Sequence, residues 1–503
     1  MRVLFVLPDF NYLDFISDYS GFNHIGLAYL SACLKQENHD TKLLHLTKEL
    51  PADELISLIK EINPDLICYT AFSNQFHYIK KVAPLIKKEL NILTVCGGIH
   101  ATVHPEDTIN IDGIDMVCIG EGEKAIVELA NKLEKKRDIS KIKSLWVKKN
   151  NKIIKNEVNN LNQDLDSLPS PDMDLFDFRN LSGTKLGKLN VIATRGCPYQ
   201  CGYCANHQLQ RIYKNKGKYV RFRSVDKVIH EIKDIKEKYP GMNHLEFLDD
   251  CFCLNKTWIK DFIQKYKKEK INLPMIVNTR VDLLDDELLK ELKSAGMREL
   301  CLGVETGNEE IREKILNKHI SNAQIIKTFK LCKKYGFENR CYVMVGIPFE
   351  NMGNALETVK LCSKIQPTYL HVSIFQPYPN TALYDLCLKN GFINKDINFQ
   401  TYFDGVTVLN QNSITKGETV FAFTYFRIFV RLYERFRNKQ IRRLLDKIFL
   451  NKKLHKPLMK LYPLAYALVF PMQAPYRLIL KTSPKTARFL KKRLIMPLRR
   501  LKG

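Results

Sequence analysis

Short apolar runs alternate with amphipathic helical stretches from residue 3 to residue 132, and this alternation constrains the fold more than any other feature. The strand-like runs cover residues 3–7, 42–46, 66–72, 92–96 and 116–119, with helix-like stretches at 26–35, 52–62, 76–89 and 124–132 between them. Such continuous apolar runs are typical of strands covered on both faces. The pattern therefore predicts a doubly wound parallel α/β sheet of the flavodoxin-like, Rossmann type.

Polar and glycine-rich residues follow three of these predicted strands. They are Thr70 and Ser73 after the third strand, Gly97, Gly98 and His100 after the fourth, and Gly120, Glu121 and Gly122 after the fifth. Open parallel sheets bind ligands beyond the carboxyl ends of their strands, so these residues are candidates for a binding site. The alternative is that the glycines only turn the chain into the next helix, which three clusters on one sheet edge make less favoured.

The same alternation resumes at residue 189, where six more strand-like runs begin. They cover residues 190–194, 244–248, 276–279, 299–304, 341–345 and 369–375. Six strand–helix units predict a partial (β/α)6, TIM-like barrel, whose active site lies at the carboxyl ends of its strands. Asp249, Asp250, Arg280 and Glu305 stand at these ends and are candidate site residues. The alternative for each is a solvated strand end or an internal salt bridge.

Three cysteines lie on one short segment at the carboxyl end of the first of these strands. They are Cys197, Cys201 and Cys204, in the spacing Cys-x3-Cys-x2-Cys. Three thiolates on one loop can bind three corners of an iron–sulfur cube and leave the fourth iron open for a substrate or cosubstrate. The alternative is a structural zinc site, which needs four ligands and would take the fourth from Cys251 or Cys253.

This cysteine segment resembles the signature of the radical S-adenosylmethionine (SAM) enzymes, in which the open iron chelates SAM through its amino and carboxylate groups. The resemblance implies a [4Fe–4S] cluster on the three cysteines, with SAM beside it and Tyr203 among the cofactor contacts. It also implies roles for the strand ends. Asp249 or Asp250 would accept a hydrogen bond from the amino group of SAM, and Arg280 would pair with its carboxylate. Glu305 would bind the ribose or the amino group.

Residues 1–140 resemble the cobalamin (B12)-binding domain that precedes many radical SAM modules. The resemblance rests on a Pro after the first strand and on the segments HIGLAYLSACLK, NPDLICYTAF, GGIHATVHPE and GEGEKAI. It implies cobalamin as a further cofactor. One departure is the absence of the Asp-x-His-x-x-Gly motif, which supplies the lower cobalt ligand in many B12 proteins. We therefore expect His24 and His100 to be loop or corrin-contacting residues rather than cobalt ligands.

Turn chemistry and composition divide the chain. Residues 143–157 predict a small hairpin turned at Asn150-Asn151, and the Pro- and Asp-rich stretch 162–177 predicts a linker. We expect a B12-binding domain at 1–142, the hairpin and linker at 143–185, the barrel at 186–404 and a helical extension at 405–503. The 14 cysteines are scattered, mostly singly in apolar runs, and the N-terminus lacks the features of a signal peptide. Both features favour a reducing cytoplasm and no disulfide framework.

The net charge of +25 is concentrated at the C-terminal end of the chain. Residues 419–503 contain 22 Lys and Arg but only two acidic residues, a surplus of 20. The run 421–449 predicts a basic, aromatic-rich amphipathic helical segment. The uncharged stretch 461–476 is too short, at 16 residues, for a spanning helix. We expect 419–503 to lie on the inner face of an anionic membrane, with RNA binding and a helical lid over the barrel mouth as alternatives.

The combined resemblance implies a radical SAM enzyme that also uses cobalamin and most commonly methylates an unactivated carbon. A cyclase or a rearrangement enzyme is the alternative within the family. A tRNA-modifying methyl(thio)transferase would use the basic tail to bind RNA, but no nucleic-acid-binding domain is recognisable. A non-catalytic cobalamin sensor would have no need of the three cysteines. We expect a small-molecule or lipid-like substrate and an electron donor such as flavodoxin or ferredoxin.

Overall fold

The computed structural model describes residues 1–10, 21–70, 72–150, 152–178, 181, 187–394 and 405–470. The strands are β1 Arg2–Pro8, β2 Asp40–Leu46, β3 Leu66–Thr70, β4 Leu93–Gly97, β5 Met116–Cys118, β6 Leu145–Lys149, β7 Lys152–Lys155, β8 Lys188–Val191, β9 Thr194–Arg195, β10 Arg221–Phe222, β11 His244–Phe247, β12 Met275–Thr279, β13 Met297–Glu305, β14 Glu338–Val345 and β15 Tyr369–Ile374. The helices are α1 Ile25–Gln36, α2 Ala52–Ile62, α3 Phe76–Leu90, α4 Gly98–Val103, α5 Pro105–Ile109, α6 Glu123–Glu134, α7 Ala205–Ile212, α8 Val225–Lys238, α9 Lys256–Lys268, α10 Asp286–Ser294, α11 Asn322–Lys334, α12 Met352–Ile365, α13 Ala382–Lys389, α14 Lys416–Arg435, α15 Lys439–Leu450 and α16 Lys452–Val469.

The first sheet has the strand order β2-β1-β3-β4-β5-β6-β7, and β1 to β5 run parallel. This is the flavodoxin-like order, whose switch point lies between β1 and β3. Apolar side chains of β1 enter two different core clusters, Val3 and Phe5 on one face and Leu4 and Val6 on the other. Because helices cover both faces, the strands are apolar along their length, and the predicted doubly wound sheet is confirmed.

The predicted hairpin forms as β6 and β7. It was expected to stand with the linker, but it extends the first sheet, since β6 pairs antiparallel with β5. Its inward residues Leu145 and Val147 are buried in the core, which explains the pairing. Asn150 has the left-handed φ of +52° that a tight turn requires, and Asn151 lies outside the described residues.

The second sheet has six parallel strands in the order β15-β14-β13-β12-β11-β8. A helix follows each strand, and apolar residues of the outer strand faces pack against these helices in one continuous cluster. Sequential parallel strands with covering helices form the partial barrel that the sequence predicts. The short pair β9–β10 stands apart from this sheet and leads into the cysteine loop.

The described part of the C-terminal basic region forms three helices, α14, α15 and α16. Of these, α14 packs directly on the barrel. The aromatic face of α14 is buried, with Phe421 and Phe426 fully inaccessible, and it packs on α12 and β15. The expectation that the whole region from 419 lies on a membrane is therefore corrected for α14, because its apolar face is already covered by protein. The rest of the predicted tail, residues 471–503, lies outside the described residues. None of the helices in the described ranges is long and apolar enough to cross a bilayer.

Candidate cofactor site between the two sheets

The cysteine loop follows β9, and its backbone conformation is fixed by a glycine and by a backbone hydrogen bond. Gly196, directly before Cys197, has a φ of +89°, and a Cβ atom there would lie 2.4 Å from the carbonyl oxygen of Tyr219. Further along the loop, the amide of Gly202 donates to the carbonyl of Leu316 over 3.0 Å. Glycine is therefore required at position 196, since any side chain would meet backbone there.

Two of the three thiols receive contacts from polar side chains. Nη1 of Arg280 lies 3.8 Å from Sγ of Cys201, and Nδ2 of Asn206 lies 3.8 Å from Sγ of Cys204. The Arg280 guanidinium is oriented by two 3.0 Å hydrogen bonds to Asp282. Hydrogen bonds to the sulfurs are one of the features that set the potential of an iron–sulfur cluster. Arg280, predicted as a SAM contact, thus lies against the cysteine loop.

The donor set differs from that of a single-metal site. Among the described residues, no three His, Cys, Asp or Glu side chains come close enough together to hold one metal ion. A structural zinc site needs four donors around one point, and no such group forms among the described residues, with Cys251 and Cys253 both buried at 1% exposure. Three thiols spread along one loop fit the corners of a cluster better than a zinc ion.

The paired aspartates at the end of β11 have different surroundings. Asp249 is fully buried and accepts from the hydroxyl of Thr194 (2.6 Å) and the amide of Ala193 (3.2 Å). Burial raises the pKa of Asp249 to about 6 despite these hydrogen bonds. The side chain of Asp250 is open to solvent, although the surrounding protein raises its pKa, and its carboxylate accepts from the side chain of Asn206 and the backbone of Gly196. Asp249 therefore supports the turn before the cysteine loop, and Asp250 is the aspartate that a ligand can reach.

Glu305 is the centre of a buried polar group at the end of β13. Its Oε1 accepts from Nζ of Lys318 (2.8 Å) and from the hydroxyl of Tyr203 (2.9 Å). Its φ of +66° is rare for a residue with a side chain, and such strain clusters at functional sites. A Cβ atom on Gly303 would lie 2.2 Å from this Oε1, so the glycine makes room for the carboxylate. Two predicted cofactor contacts, Tyr203 and Glu305, are thus brought together.

A cavity of about 270 Å³ opens at the carboxyl edge of the first sheet. The predicted residues that line it are Thr70, Gly97, Gly98, Gly120, Glu121 and Gly122. Most of the remaining wall is apolar, with Ile25, Leu30 and Ile126 among its residues. The three clusters predicted on one sheet edge therefore border a common space.

Ser73 and His100 do not belong to the wall of this cavity. Nδ1 of His100 lies 3.0 Å from Oγ of Ser73, and the His100 ring stacks on Phe76 with a centroid separation of 3.7 Å. His24 does line the cavity, where its Nδ1 accepts from the amide of Leu27 at the start of α1. Both histidines are therefore engaged within the protein.

A network of charged residues joins the cavity to the cysteine loop. Arg195, in β9, donates to Glu121 (3.1 Å) and Glu123 (2.7 Å), which lie at the edge of the first sheet. Arg221, in β10, makes two further hydrogen bonds to Glu121, of 2.8 and 3.0 Å. Burial alone would raise the pKa of Glu121, but the hydrogen bonds and charges of the two arginines hold it below its ordinary value. Arg195 and Ile192 also line the cavity, so the cavity and the loop share a wall.

The inward face of the second sheet carries polar residues that the sequence reasoning did not single out. Along β13, Leu300 and Val304 enter the core and the alternate residues point to the other face. The polar residues on this face include the contacting pairs Lys188–Glu246, Glu299–Arg340 and Tyr342–His371. Burial, Arg427 and Arg340 lower the pKa of His371 to about 4. The available signal was the apolar–polar alternation of residues 299–305, because covered parallel strands are usually apolar throughout.

The residues present fit the three cofactors that these features imply. The cysteine loop offers three thiols for a [4Fe–4S] cluster, and the described residues add no fourth ligand to it. Exposed Asp250 lies next to the loop for a cationic amino group. The apolar cavity with its glycine-lined edge is large enough for a side arm of cobalamin, though not for the whole molecule.

Comparison with known proteins agrees with this arrangement. Two family models match the chain: the radical SAM superfamily over residues 191–362 and the B12 binding domain over residues 18–130. The uncharacterized methyltransferase PH0819 of Pyrococcus horikoshii is 32% identical over 73% of this chain and 79% of its own length. The anaerobic magnesium-protoporphyrin IX monomethyl ester cyclase of Cereibacter sphaeroides is 24% identical, covering 83% and 68%. The hopanoid C-3 methylase of Methylococcus capsulatus is also 24% identical, covering 71% and 67%.

Two solved structures share the fold. The radical SAM methyltransferase TsrM from Kitasatospora setae superposes with a TM-score of 0.64 at 18% identity, covering 78% of this chain and 77% of its own. The cobalamin-dependent SAM radical enzyme OxsB superposes with a TM-score of 0.67 at 16% identity, covering 98% and 75%.

Fold and site together define an α/β protein in which a cobalamin-binding sheet precedes a partial radical SAM barrel and a helical C-terminal region. The chain belongs to the family of radical SAM proteins that carry a B12-binding domain. It is a cobalamin-dependent radical SAM enzyme, with a [4Fe–4S] cluster, SAM and cobalamin as its cofactors. The cofactors predicted from the sequence are thereby confirmed.

Proposed function

We propose that this enzyme transfers a methyl group to an unactivated carbon of a small-molecule substrate. When bound, the three cofactors supply hydrogen abstraction and a methyl group, chemistry that no side chain performs. The proposal rests on the contact between the cavity of the first sheet and the segment that leads into the cysteine loop. Ile192 and Arg195 line the cavity of the first sheet, and Cys197 follows two residues later. A substrate between the two sheets would therefore be within reach of both cofactor sites.

In this proposal each part of the site has a task. Cys197, Cys201 and Cys204 hold the cluster, Asp250 accepts from the amino group of SAM, and Thr70, Gly97, Gly98, Gly120 and Gly122 contact cobalamin. Arg280 pairs with the SAM carboxylate from its position against the cysteine loop. The buried Lys318 neutralises Glu305, and the Tyr203 hydroxyl bound to the same carboxylate orients it toward the ribose or amino group.

The division of the chain follows the same assignment. Residues 1–142 would bind cobalamin on a sheet that the hairpin 145–155 extends, the stretch up to 185 would be the linker, 186–404 would form the barrel, and the helices α14, α15 and α16 begin the extension predicted from residue 405. The cluster requires an electron donor such as flavodoxin or ferredoxin.

Anaerobic reconstitution of the full chain tests the cofactor residues first. We expect about four irons per chain and a corrinoid absorption spectrum, with the iron lost in Cys197→Ala, Cys201→Ala and Cys204→Ala. Cys332→Ala is the matched control, because the buried Cys332 lies near the end of α11, which leads to the amino end of β14, and the cysteine loop lies at the carboxyl ends of the strands; its substitution should leave the iron content unchanged. Tight binding of zinc in place of iron by the wild-type chain would overturn the assignment.

Isotope labelling in cells tests the reaction for a substrate of any chemical class. Cells that express the chain are grown on methionine with a trideuterated methyl group, and their lipid, soluble and tRNA fractions are compared with cells that express Cys201→Ala. We expect a metabolite that carries the labelled methyl group only with the active chain. Label confined to tRNA nucleosides would instead support the tRNA-modifying alternative.

Cyclisation is the second candidate, and the relative named as a cyclase in Cereibacter sphaeroides favours it by matching over 83% of this chain. The same experiment separates the two reactions. A product that has lost hydrogen without gaining a labelled methyl group would favour the cyclase reaction. Methylation has the additional support of PH0819, which bears a methyltransferase name and has the higher identity of 32%.

We further propose a lipid-like substrate encountered at the inner face of the membrane. The surplus of positive charge in residues 419–503 supports this location, because anionic lipids attract basic segments. The hopanoid C-3 methylase among the relatives bears the name of an enzyme acting on a lipid.

A further inference from the structure

Exposed apolar side chains are concentrated on the last two described helices. Among the described residues, twelve large apolar side chains are exposed, and six of them lie on α15 and α16. Three of them, Leu461, Leu464 and Leu468, are 53%, 60% and 71% exposed. Their spacing of three and four residues places them on one face of α16. This leucine stripe presents apolar surface of the kind that marks an interaction site.

The helix α16, which carries the stripe, and the neighbouring α15 both pack against α14 through other side chains. The ring of His455 in α16 stacks on Phe421 of α14 with a centroid separation of 3.9 Å, and Tyr466 is buried. Phe449 of α15 is fully buried and packs edge-on against Phe429 at 4.9 Å. The leucine stripe is therefore held outward by the packing of α14, α15 and α16.

Positive charge borders the leucine stripe on its N-terminal side. Residues 436–470 contain nine Lys and Arg and one acidic residue, Asp446, which already pairs with Lys360 at 2.9 Å. Lys453, Lys456 and Lys460 are exposed on α16 in the turns that precede the leucines. Their spacing places them on the same side of the helix as the leucine stripe. An apolar stripe bordered by lysines is the pattern of a helix lying in a membrane interface.

We propose that α15 and α16 dock this protein on an anionic lipid bilayer, with Leu461, Leu464 and Leu468 inserted among the lipids and the lysines at the phosphate groups. Charge complementarity selects this occupant. Two copies of the chain would bring two surfaces of like charge together, which opposes self-association. Single-stranded RNA would need exposed aromatic rings for stacking, and the stripe consists of leucines.

The inference narrows the membrane contact predicted for residues 419–503 to α15 and α16 in the described part of the chain. It rests on the proposed function only for the reason why the enzyme visits a membrane. Docking itself requires no turnover, so it is measured without SAM or a reductant. Failure of docking and failure of methyl transfer are then separate results.

Flotation of the full chain with vesicles tests the proposal. We expect the wild-type protein to float with vesicles of equal parts phosphatidylcholine and phosphatidylglycerol, and not with phosphatidylcholine alone. Leu461→Gln/Leu464→Gln/Leu468→Gln should weaken binding at least about tenfold, because three apolar side chains lose their insertion. Lys453→Gln/Lys456→Gln/Lys460→Gln should weaken it by about fivefold for each lysine, and added salt should reproduce that loss.

Two control variants test whether a change in vesicle binding comes from a general effect on folding or net charge. Leu85→Gln/Leu93→Gln/Leu248→Gln removes three leucines that are exposed elsewhere, and Lys60→Gln/Lys81→Gln/Lys88→Gln removes three exposed lysines. Both controls should float like the wild type. Equal flotation of the wild type and both α16 variants would overturn the proposal, as would binding that is insensitive to phosphatidylglycerol. A concentration-dependent dimer that the leucine variant abolishes would assign the stripe to a second copy instead.

Discussion

The contact between Arg195 and Glu123 provides the sharpest test of how the two sheets are joined. Nη2 of Arg195 lies 2.7 Å from Glu123, and the two side chains retain 17% and 12% of their exposure. Arg195→Met would leave Glu123 buried without its partner, whereas Glu121 would keep its two hydrogen bonds to Arg221. Removing one partner of a buried ion pair costs about 3–5 kcal/mol, and the residual exposure of both side chains places the cost here at the lower end, about 3 kcal/mol.

Hydrogen exchange measures this cost locally, which suits a chain with several cores that need not unfold in one step. A loss of about 3 kcal/mol corresponds to an increase of about a hundredfold in the exchange rate of amides protected by local opening. We expect this increase at the start of α6 and in β9, with the iron content unchanged. Amides in α11, on the far side of the barrel, serve as the internal reference.

The double variant Arg195→Met/Glu123→Gln separates a stranded charge from lost packing. If the stranded carboxylate causes the effect, neutralising Glu123 should recover most of the protection, so the two substitutions are strongly non-additive. Exchange that stays at wild-type rates in Arg195→Met, or strictly additive effects in the double variant, would refute the reasoning. Corrinoid retention is recorded in parallel, since Arg195 also lines the cavity.

Three further predictions concern single residues. Gly303→Ala places a Cβ atom 2.2 Å from Oε1 of Glu305, so equilibrium dialysis should show SAM affinity weakened by about tenfold to a hundredfold. Arg280→Lys removes the Nη1 contact to Cys201, so a redox titration followed by electron paramagnetic resonance should give a more negative cluster potential. Burial raises the pKa of Glu350 to about 8 in the folded protein. As pH rises from 5 to 8, the Glu350 carboxyl therefore ionises in the unfolded chain before it does so in the folded one, and the free energy of unfolding falls. The Glu350→Gln variant does not lose this stability, which amounts to about 1.4 kcal/mol per pH unit. The melting temperature of the variant, relative to that of the wild type, should therefore increase as pH rises from 5 to 8.

Each of these predictions has its own control. Gly241→Ala should leave SAM affinity unchanged, because an added Cβ meets nothing within 4 Å there. Unchanged SAM affinity in Gly303→Ala would mean that the Glu305 group does not contact SAM. Arg298→Lys, at a half-buried arginine paired with Glu338 away from the cysteine loop, should keep the wild-type potential. A melting-temperature difference for Glu350→Gln that is constant with pH would show that Glu350 is ionised in the folded protein.

Local and periodic features of the chain were predictable from its sequence. The strands of both sheets appear with ends displaced by at most three residues, because covered strands and amphipathic helices each bury their own pattern of side chains. The cysteine loop was recognisable because Cys197, Cys201 and Cys204 are neighbours in the chain. Six of the eight residues predicted on the first sheet edge line a common cavity, whereas Ser73 and His100 contact each other and are not part of its wall.

Contacts between distant segments were decided only by the tertiary structure. Arg195 meets Glu121 and Glu123 across more than seventy residues of chain, and no local pattern encodes that pairing. Asp249 and Asp250 are adjacent in sequence, yet one is fully buried and the other is open to solvent, since successive positions at a strand end face opposite sides.

The C-terminal region shows the same division. Its sequence established basic, amphipathic helices, because charge and helical periodicity are properties of the chain itself. Which apolar face meets protein and which meets solvent depends on the surfaces available in the folded molecule. The barrel covers the aromatic face of α14, whereas Leu461, Leu464 and Leu468 of α16 remain exposed in the described structure.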